Sequence, residues 1–214
     1  MRIDRMILLA FSPVTTSYLQ RTLGHSIKGH STLCRGLPQS QIDTVNWIES
    51  FVIKHNLCPF AKEAISKQVT YRVFDGGDTD PFSSPSGALK SLTKVLKEEL
   101  SELEAFDGDG ATSFIIAPSM FSGDFQKYMD FVNDDVSDLL TNLDLHGTIQ
   151  VAPFHPHFMF GGTNQNDPGN KVNQSPHPMF HLLREVEVSA ASDQQDTQKI
   201  WERNERLLTK LFRC

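Results

Sequence analysis

Apolar positions set the frame of this chain. Ile42, Val45, Ile48, Phe51 and Val52 recur at helical spacing and predict a helix over about 41–55, with Trp47 beside its apolar face. Asn56 follows, a residue that tolerates the left-handed conformation in which helices close. Thr70 to Phe74 alternates, is β-branched or aromatic, and reads as a strand. Gly, Asp, Pro and Ser crowd residues 75–86 and mark a loop. Ala88, Leu89, Leu92, Val95, Leu96, Leu100 and Leu103 trace the stripe of a long amphipathic helix, which Asp107-Gly108-Asp109-Gly110 breaks. Thr112 to Ala117 is a short apolar run suited to a buried strand. Phe125, Tyr128, Met129, Val132, Val136, Leu139, Leu140 and Leu143 give a second long helix. Thr148 to Phe154 reads as a third strand that can run on to Phe160.

The pattern then turns polar over 161–176. Pro178 suits the first turn of a helix predicted to reach about Val186. Ser192 and Gln195 fit a capping box for a last helix, with Ile200, Leu207, Leu208 and Leu211 as its packed stripe. Helix, strand, helix, strand, helix, strand predicts an α/β fold. Its expected form is a small three-layer or two-layer sandwich around a short, mostly parallel sheet with crossover helices, followed by C-terminal helices. Sites in such sheets gather at the carboxyl ends of strands, which points to the 161–176 loop.

Composition adds limits. The 214 residues suit one domain, and 39% hydrophobic with 21% charged residues allows a real core. A net charge of -6 leaves no basic stripe for nucleic acid. The longest apolar run, Met6 to Phe11, falls far short of the roughly 18 residues of a membrane span. Cys34, Cys58 and Cys214 have no regular spacing and no CxxC, which argues for a reducing compartment rather than a disulfide framework. Residues 1–40 carry one acidic residue, Asp4, against Arg2, Arg5, Arg21, Lys28 and Arg35. That segment reads as an organellar transit peptide, for a mitochondrion or plastid, or as a disordered extension of a cytoplasmic protein. Residues 41–214 are then a single α/β domain.

Four of the 8 histidines, His155, His157, His177 and His181, fall between Pro153 and Glu185. His155 and His157 alternate with Phe154, Phe158 and Phe160, so both would share one face of an extended strand. His181, in the first turn of the predicted helix, would be held neutral by the helix dipole, as a general base or metal ligand requires. Arg184 would lie one turn on. Gly161 and Gly162 permit close backbone approach, and Asn164, Asn166, Asp167, Asn170 and Asn173 crowd the loop. That loop suits a small polar or anionic ligand, or is only a self-bonded connector. Pro59 at a helix start would put Cys58 near an N-cap, where the dipole favours a thiolate. A buried hydrophobe beside Leu57 and Phe60 is the equal alternative for Cys58. GxGxxG, P-loop, GxSxG and HExxH are all missing from the sequence.

Asn56-Leu57-Cys58-Pro59-Phe60-Ala61, Phe154-His155-Pro156 and the stretch from Ser175 to Glu185 resemble the uncharacterised DUF1415 family, found mainly in bacteria. The resemblance spans roughly 42–190 and implies no established activity. It implies a shared site of Cys58, His155, Asp167, Asn170, His181, Arg184 and Glu185. The family pattern carries Arg at the position of Gln174 and Tyr at that of His177, and does not hold His157 to histidine. The leading expectation is a small-molecule enzyme with Cys58, His155 and His181 as catalytic groups. Asp167, Asn170, Asn173, Arg184 and Glu185 would bind the substrate. A mononuclear metal enzyme with Cys58, His155 and His181 as ligands is the second reading, and a non-catalytic binding or assembly protein the third. Enzyme status, cofactor, metal and oligomeric state are open at this point.

Overall fold

The computed structural model describes residues 36–76, 85–121, 123–194 and 196–212. Most of the expected transit or extension segment, with Cys34, therefore lies outside the described residues, as does Cys214. Helix α1, Gln39–Trp47, continues without a break into a π-helical segment, Ile48–Ile53. Asn56 ends this rod at φ 52°, in the left-handed conformation expected of it. Short α2 (Ala61–Ser66) leads into β1 (Gln68–Val73). Long α3 (Pro85–Ala105) precedes β2 (Ala111–Ile116). Helix α4 (Phe125–Phe131), a π-helical segment (Val132–Val136) and α5 (Ser137–Asn142) form the second long rod before β3 (Ile149–Phe154). A 3-10 turn, Pro168–Val172, interrupts the polar loop. Strand β4 (Met179–Arg184), α6 (Glu185–Gln194) and α7 (Thr197–Phe212) complete the fold.

The sheet runs β1-β2-β4-β3. β1 and β2 are parallel, and β4 pairs antiparallel with both β2 and β3. The first three strands thus point one way, and the last is inserted against them. Apolar side chains leave the sheet on both faces. Phe114, Ile116, Ala152, Phe154, Met179 and Leu183 face α1 and its π-helical continuation, α2 and α7. Ile115, Ile149, Phe180 and Leu182 face α3, α4 and α5. The class is α/β with helices on both sides, a three-layer arrangement around a mixed sheet.

Three local expectations change. Residues 179–184 are a strand and not a helix. Inside the sheet, β4 finds ladder partners on both sides, and burial of both its faces removes the alternation that would have revealed it. Pro178 sits just before the strand, where its carbonyl accepts the Ala117 N–H at 2.9 Å. β3 stops at Phe154 instead of reaching Phe160, because the His155 N–H bonds the Asn173 carbonyl at 3.1 Å and the His155 carbonyl accepts the Phe158 N–H at 2.9 Å, which closes a turn. The last helix is capped by Asp196, whose Oδ1 accepts the Lys199 N–H at 3.1 Å, while Ser192 lies within α6.

Candidate functional site

His155 follows the last residue of β3 and has no exposed surface. Its Nε2 stands 2.8 Å from the Phe121 carbonyl, which can only accept, so Nε2 carries the proton. Nδ1 accepts the His157 N–H at 3.0 Å. Burial lowers the imidazole pKa, and the Phe121 carbonyl opposes that in part. Both nitrogens are occupied within the fold, and the ring packs against Phe125 and Tyr128 in the layer of α4. Tyr128 closes the same end of the sheet: its hydroxyl donates to the Met179 carbonyl at 2.7 Å and accepts the Phe154 N–H at 3.1 Å.

The polar loop is largely bonded to itself. Asn170, fully buried, accepts the Phe160 N–H at 3.0 Å and the Thr163 hydroxyl at 2.9 Å, and donates to the Asn164 carbonyl at 2.8 Å. Asn173 donates to the Pro153 carbonyl at 3.0 Å, and its own carbonyl accepts the His155 N–H at 3.1 Å. Asp167 caps the 3-10 turn by accepting the Gly169 N–H at 2.8 Å. Asn170 therefore ties the loop to itself, and Asn173 holds it onto the end of β3.

Cys58 lies in the turn before α2, which starts at Ala61, two residues later than Pro59 led one to expect. The Phe60 and Ala61 N–H groups favour its thiolate, but burial at 7% exposure dominates and pushes the thiol up to about 11. It belongs to the apolar cluster with Val52, Ala64 and Met179. The thiol is protonated at neutral pH, as in a core cysteine.

His181 sits at the centre of β4, paired with Phe114 on β2 and Ala152 on β3. It occupies the sheet face opposite His155, because their partners belong to different layers: Phe114 and Phe154 for His181, Tyr128 and Phe125 for His155. The register stacks Tyr71, Phe114 and His181 into one row across three strands, with ring centroids 5.4 and 3.9 Å apart. Thr112 Oγ1 donates to the Leu182 carbonyl at 2.8 Å and lies 2.7 Å from His181 Nε2. A hydroxyl has one proton. With that proton on Leu182, the threonine oxygen accepts from Nε2–H, and Nδ1 is the acceptor nitrogen of the ring. Desolvation holds this imidazole neutral, well below the ordinary histidine range.

Two buried acceptors lie toward the Arg184 end of β4. Gln150 is opposite Leu183, and between Ile149 and Val151 its side chain takes the face of His181. Glu185 donates its N–H to the Thr148 carbonyl at 2.8 Å where β4 passes into α6. Gln150 Oε1 and Glu185 Oε2 are both buried without a hydrogen-bond partner among the described residues. Arg184 is held elsewhere. It donates to the Gly108 carbonyl and lies 3.5 Å from Glu187 Oε1, which accepts the Gly110 N–H at 2.7 Å. Burial raises the Glu187 pKa against the pull of that N–H and of Arg184.

The structure therefore brings Cys58 and His181 to one sheet face and places His155 on the other. Arg184 is tied to the loop before β2, at the opposite end of the sheet from His155. His157 is exposed, and His177 pairs at 3.0 Å with Asp43 of α1. Thr112 and Gln150 escaped the sequence reading, since only strand register shows them beside His181. Glu99 escaped it too: 4% exposed on α3, it accepts from Ser113 at 2.7 Å and from Arg72 at 3.1 Å and fixes that helix to the sheet. Among the described residues no group of three or more His, Cys, Asp or Glu is placed to hold a metal ion, and no helix is long and apolar enough to cross a membrane.

Comparison with known proteins gives one family. A family model described as "Protein of unknown function (DUF1415)" matches residues 39–213. No curated protein and no solved structure matches the chain.

Proposed function

The chain belongs to the DUF1415 family, and from the geometry around β4 we propose that it is a small-molecule enzyme whose general base is His181. The observation that carries this reading is the hydrogen bond between Thr112 and His181 Nε2, with the tautomer it implies. Nε2–H donates to Thr112 Oγ1, so Nδ1 carries the lone pair, and desolvation keeps the ring in its neutral, unprotonated form, the form from which a base acts. Gln150 Oε1 and Glu185 Oε2 add acceptors suited to N–H or O–H groups of a substrate. Leaving such oxygens buried and unbonded costs about 1–3 kcal/mol each, an investment that a bound donor would recover.

This reading keeps the acid/base half of the expected chemistry and drops the thiol half. A thiol at about 11 is a poor nucleophile at neutral pH, and a neutral imidazole on its sheet face forms no thiolate–imidazolium pair with it. A ligand set of Cys58, His155 and His181 finds no support either, since both nitrogens of His155 are engaged and its ring is on the other face.

Imidazole nitrogen NMR and a small-molecule panel test the proposal. The Nε2–H tautomer of His181 is expected at pH 7, and compounds bearing polar hydrogens should shift the His181 signals. His181→Gln should bind those compounds but not turn them over, and Glu185→Gln should weaken their binding. A His181 locked as the Nδ1–H tautomer, or turnover that survives His181→Gln, would overturn it.

A further inference from the structure

A second place on the molecule carries its own chemistry. The 3-10 turn and the middle of α7, from Ile200 to Leu208, line an open recess of about 50 Å³. Its lining is largely apolar, with Phe160, Val172, Ile200 and Trp201 among the residues that face it. Two carboxylates line it, Asp167 from the turn and Glu205 from the helix. No lysine or arginine is among the lining residues, and neither carboxylate forms an ion pair with a described residue. One Asp167 oxygen takes the Gly169 N–H at 2.8 Å, which fixes the carboxylate to the 3-10 turn.

We propose that this recess binds the ammonium head of a small organic cation. Two carboxylates with no cation between them supply the charge complement. Trp201 lines the same recess, an indole being the best aromatic partner for a cation, and the apolar lining accepts the attached carbon. Size sets the class. A drug-sized or nucleotide ligand needs a pocket of roughly 300–1,000 Å³, whereas this space suits a primary or methylated amine whose chain leaves through the open side. The helix wall is held in place independently of any ligand. Asn204, 5% exposed, donates to the Leu57 carbonyl at 2.7 Å and ties α7 to the turn that bears Cys58. The site does not depend on His181.

The chain has 2 tryptophans, Trp47 and Trp201, so two indole N–H signals report on the whole protein by NMR, and Trp47→Phe assigns them. Titration with propylammonium should shift the Trp201 signal saturably and leave that of Trp47 in place. Asp167→Asn retains an acceptor for the Gly169 N–H and Glu205→Gln lies at the surface, so both variants should fold. Each should weaken binding at least about fivefold, the loss expected for one charge-assisted contact. 1-Propanol and propionate should give no saturable shift. The proposal fails if the shift stays linear, if 1-propanol reproduces it, or if both variants bind like the parent. It fails equally if calcium chloride gives the same saturable shift and propylammonium does not compete, which would make the recess a metal-ion site.

Discussion

Histidine side chains a short way apart in sequence do different work here because strand register separates them. His155 spends both nitrogens on backbone groups, so its removal strands the buried Phe121 carbonyl and the part-buried His157 N–H. Replacing it with leucine should cost about 2–4 kcal/mol in urea unfolding, from the two orphaned groups at Phe121 and His157. Both His155 and His181 have pKa values lowered in the folded state. The unfolded chain therefore binds more protons than the native one once pH falls below the unfolded histidine value near 6.5. Their contribution is complete above about 6.5 and is lost as pH drops toward the folded values. Stability should fall on acidification through that range, by up to about 1.4 kcal/mol per pH unit for each ring. Measured in urea at several pH values, His155→Leu should flatten that slope, while a slope unchanged by the substitution would show that the ring titrates as in the unfolded chain. The candidate residues were legible as a list but not as a group. His155 and His181 look adjacent in function because both lie in one polar stretch, yet nothing in that stretch tells which sheet face each will take. Thr112, which sets the tautomer of His181, is invisible until β2 and β4 are paired.

At the scale of elements, α7 is fastened at a few points, and the buried Asn204 is one of them. Asn204→Ala would leave the buried Leu57 carbonyl without its donor, at a cost of about 1–3 kcal/mol. Hydrogen exchange over α7 should rise more than exchange over α3, which Glu99 ties to Arg72 and Ser113. Equal protection of α7 in the variant and the parent would show that apolar packing of Ile200 and Leu208 holds the helix alone. Amphipathic rods such as α3 were readable from spacing because one face of each meets solvent. The three strands β1, β2 and β3 were readable from short β-branched or aromatic runs. β4 was not, because Pro178-Met179-Phe180-His181-Leu182-Leu183-Arg184 satisfies a helix start and a helical spacing at once. Its strand state is decided by two neighbours that offer hydrogen bonds along both its edges. Local preference loses there to long-range pairing.

For the molecule as a whole, Cys58 is a built-in reporter of opening. With Cys34→Ser and Cys214→Ser in place, alkylation at pH 8 should run at least about a hundredfold slower in the folded protein than in urea. The raised thiol pKa and the burial act together in that direction. Reaction at the unfolded rate would mean that the turn before α2 opens freely. The sheet order has a separate consequence for the biography of the chain. β2 and β3 are both made well before β4, yet in the finished sheet they never touch, because β4 lies between them. On a ribosome each would wait with a bare hydrogen-bonding edge until residue 184 has emerged, the kind of edge that recruits other chains. A chain stopped at residue 178 should accordingly be aggregation-prone, and supplying residues 179–184 as a separate peptide should rescue it by inserting as the missing strand. The late strand makes this protein dependent on being finished before it is left alone, a vulnerability that chaperone capture during synthesis would be suited to cover.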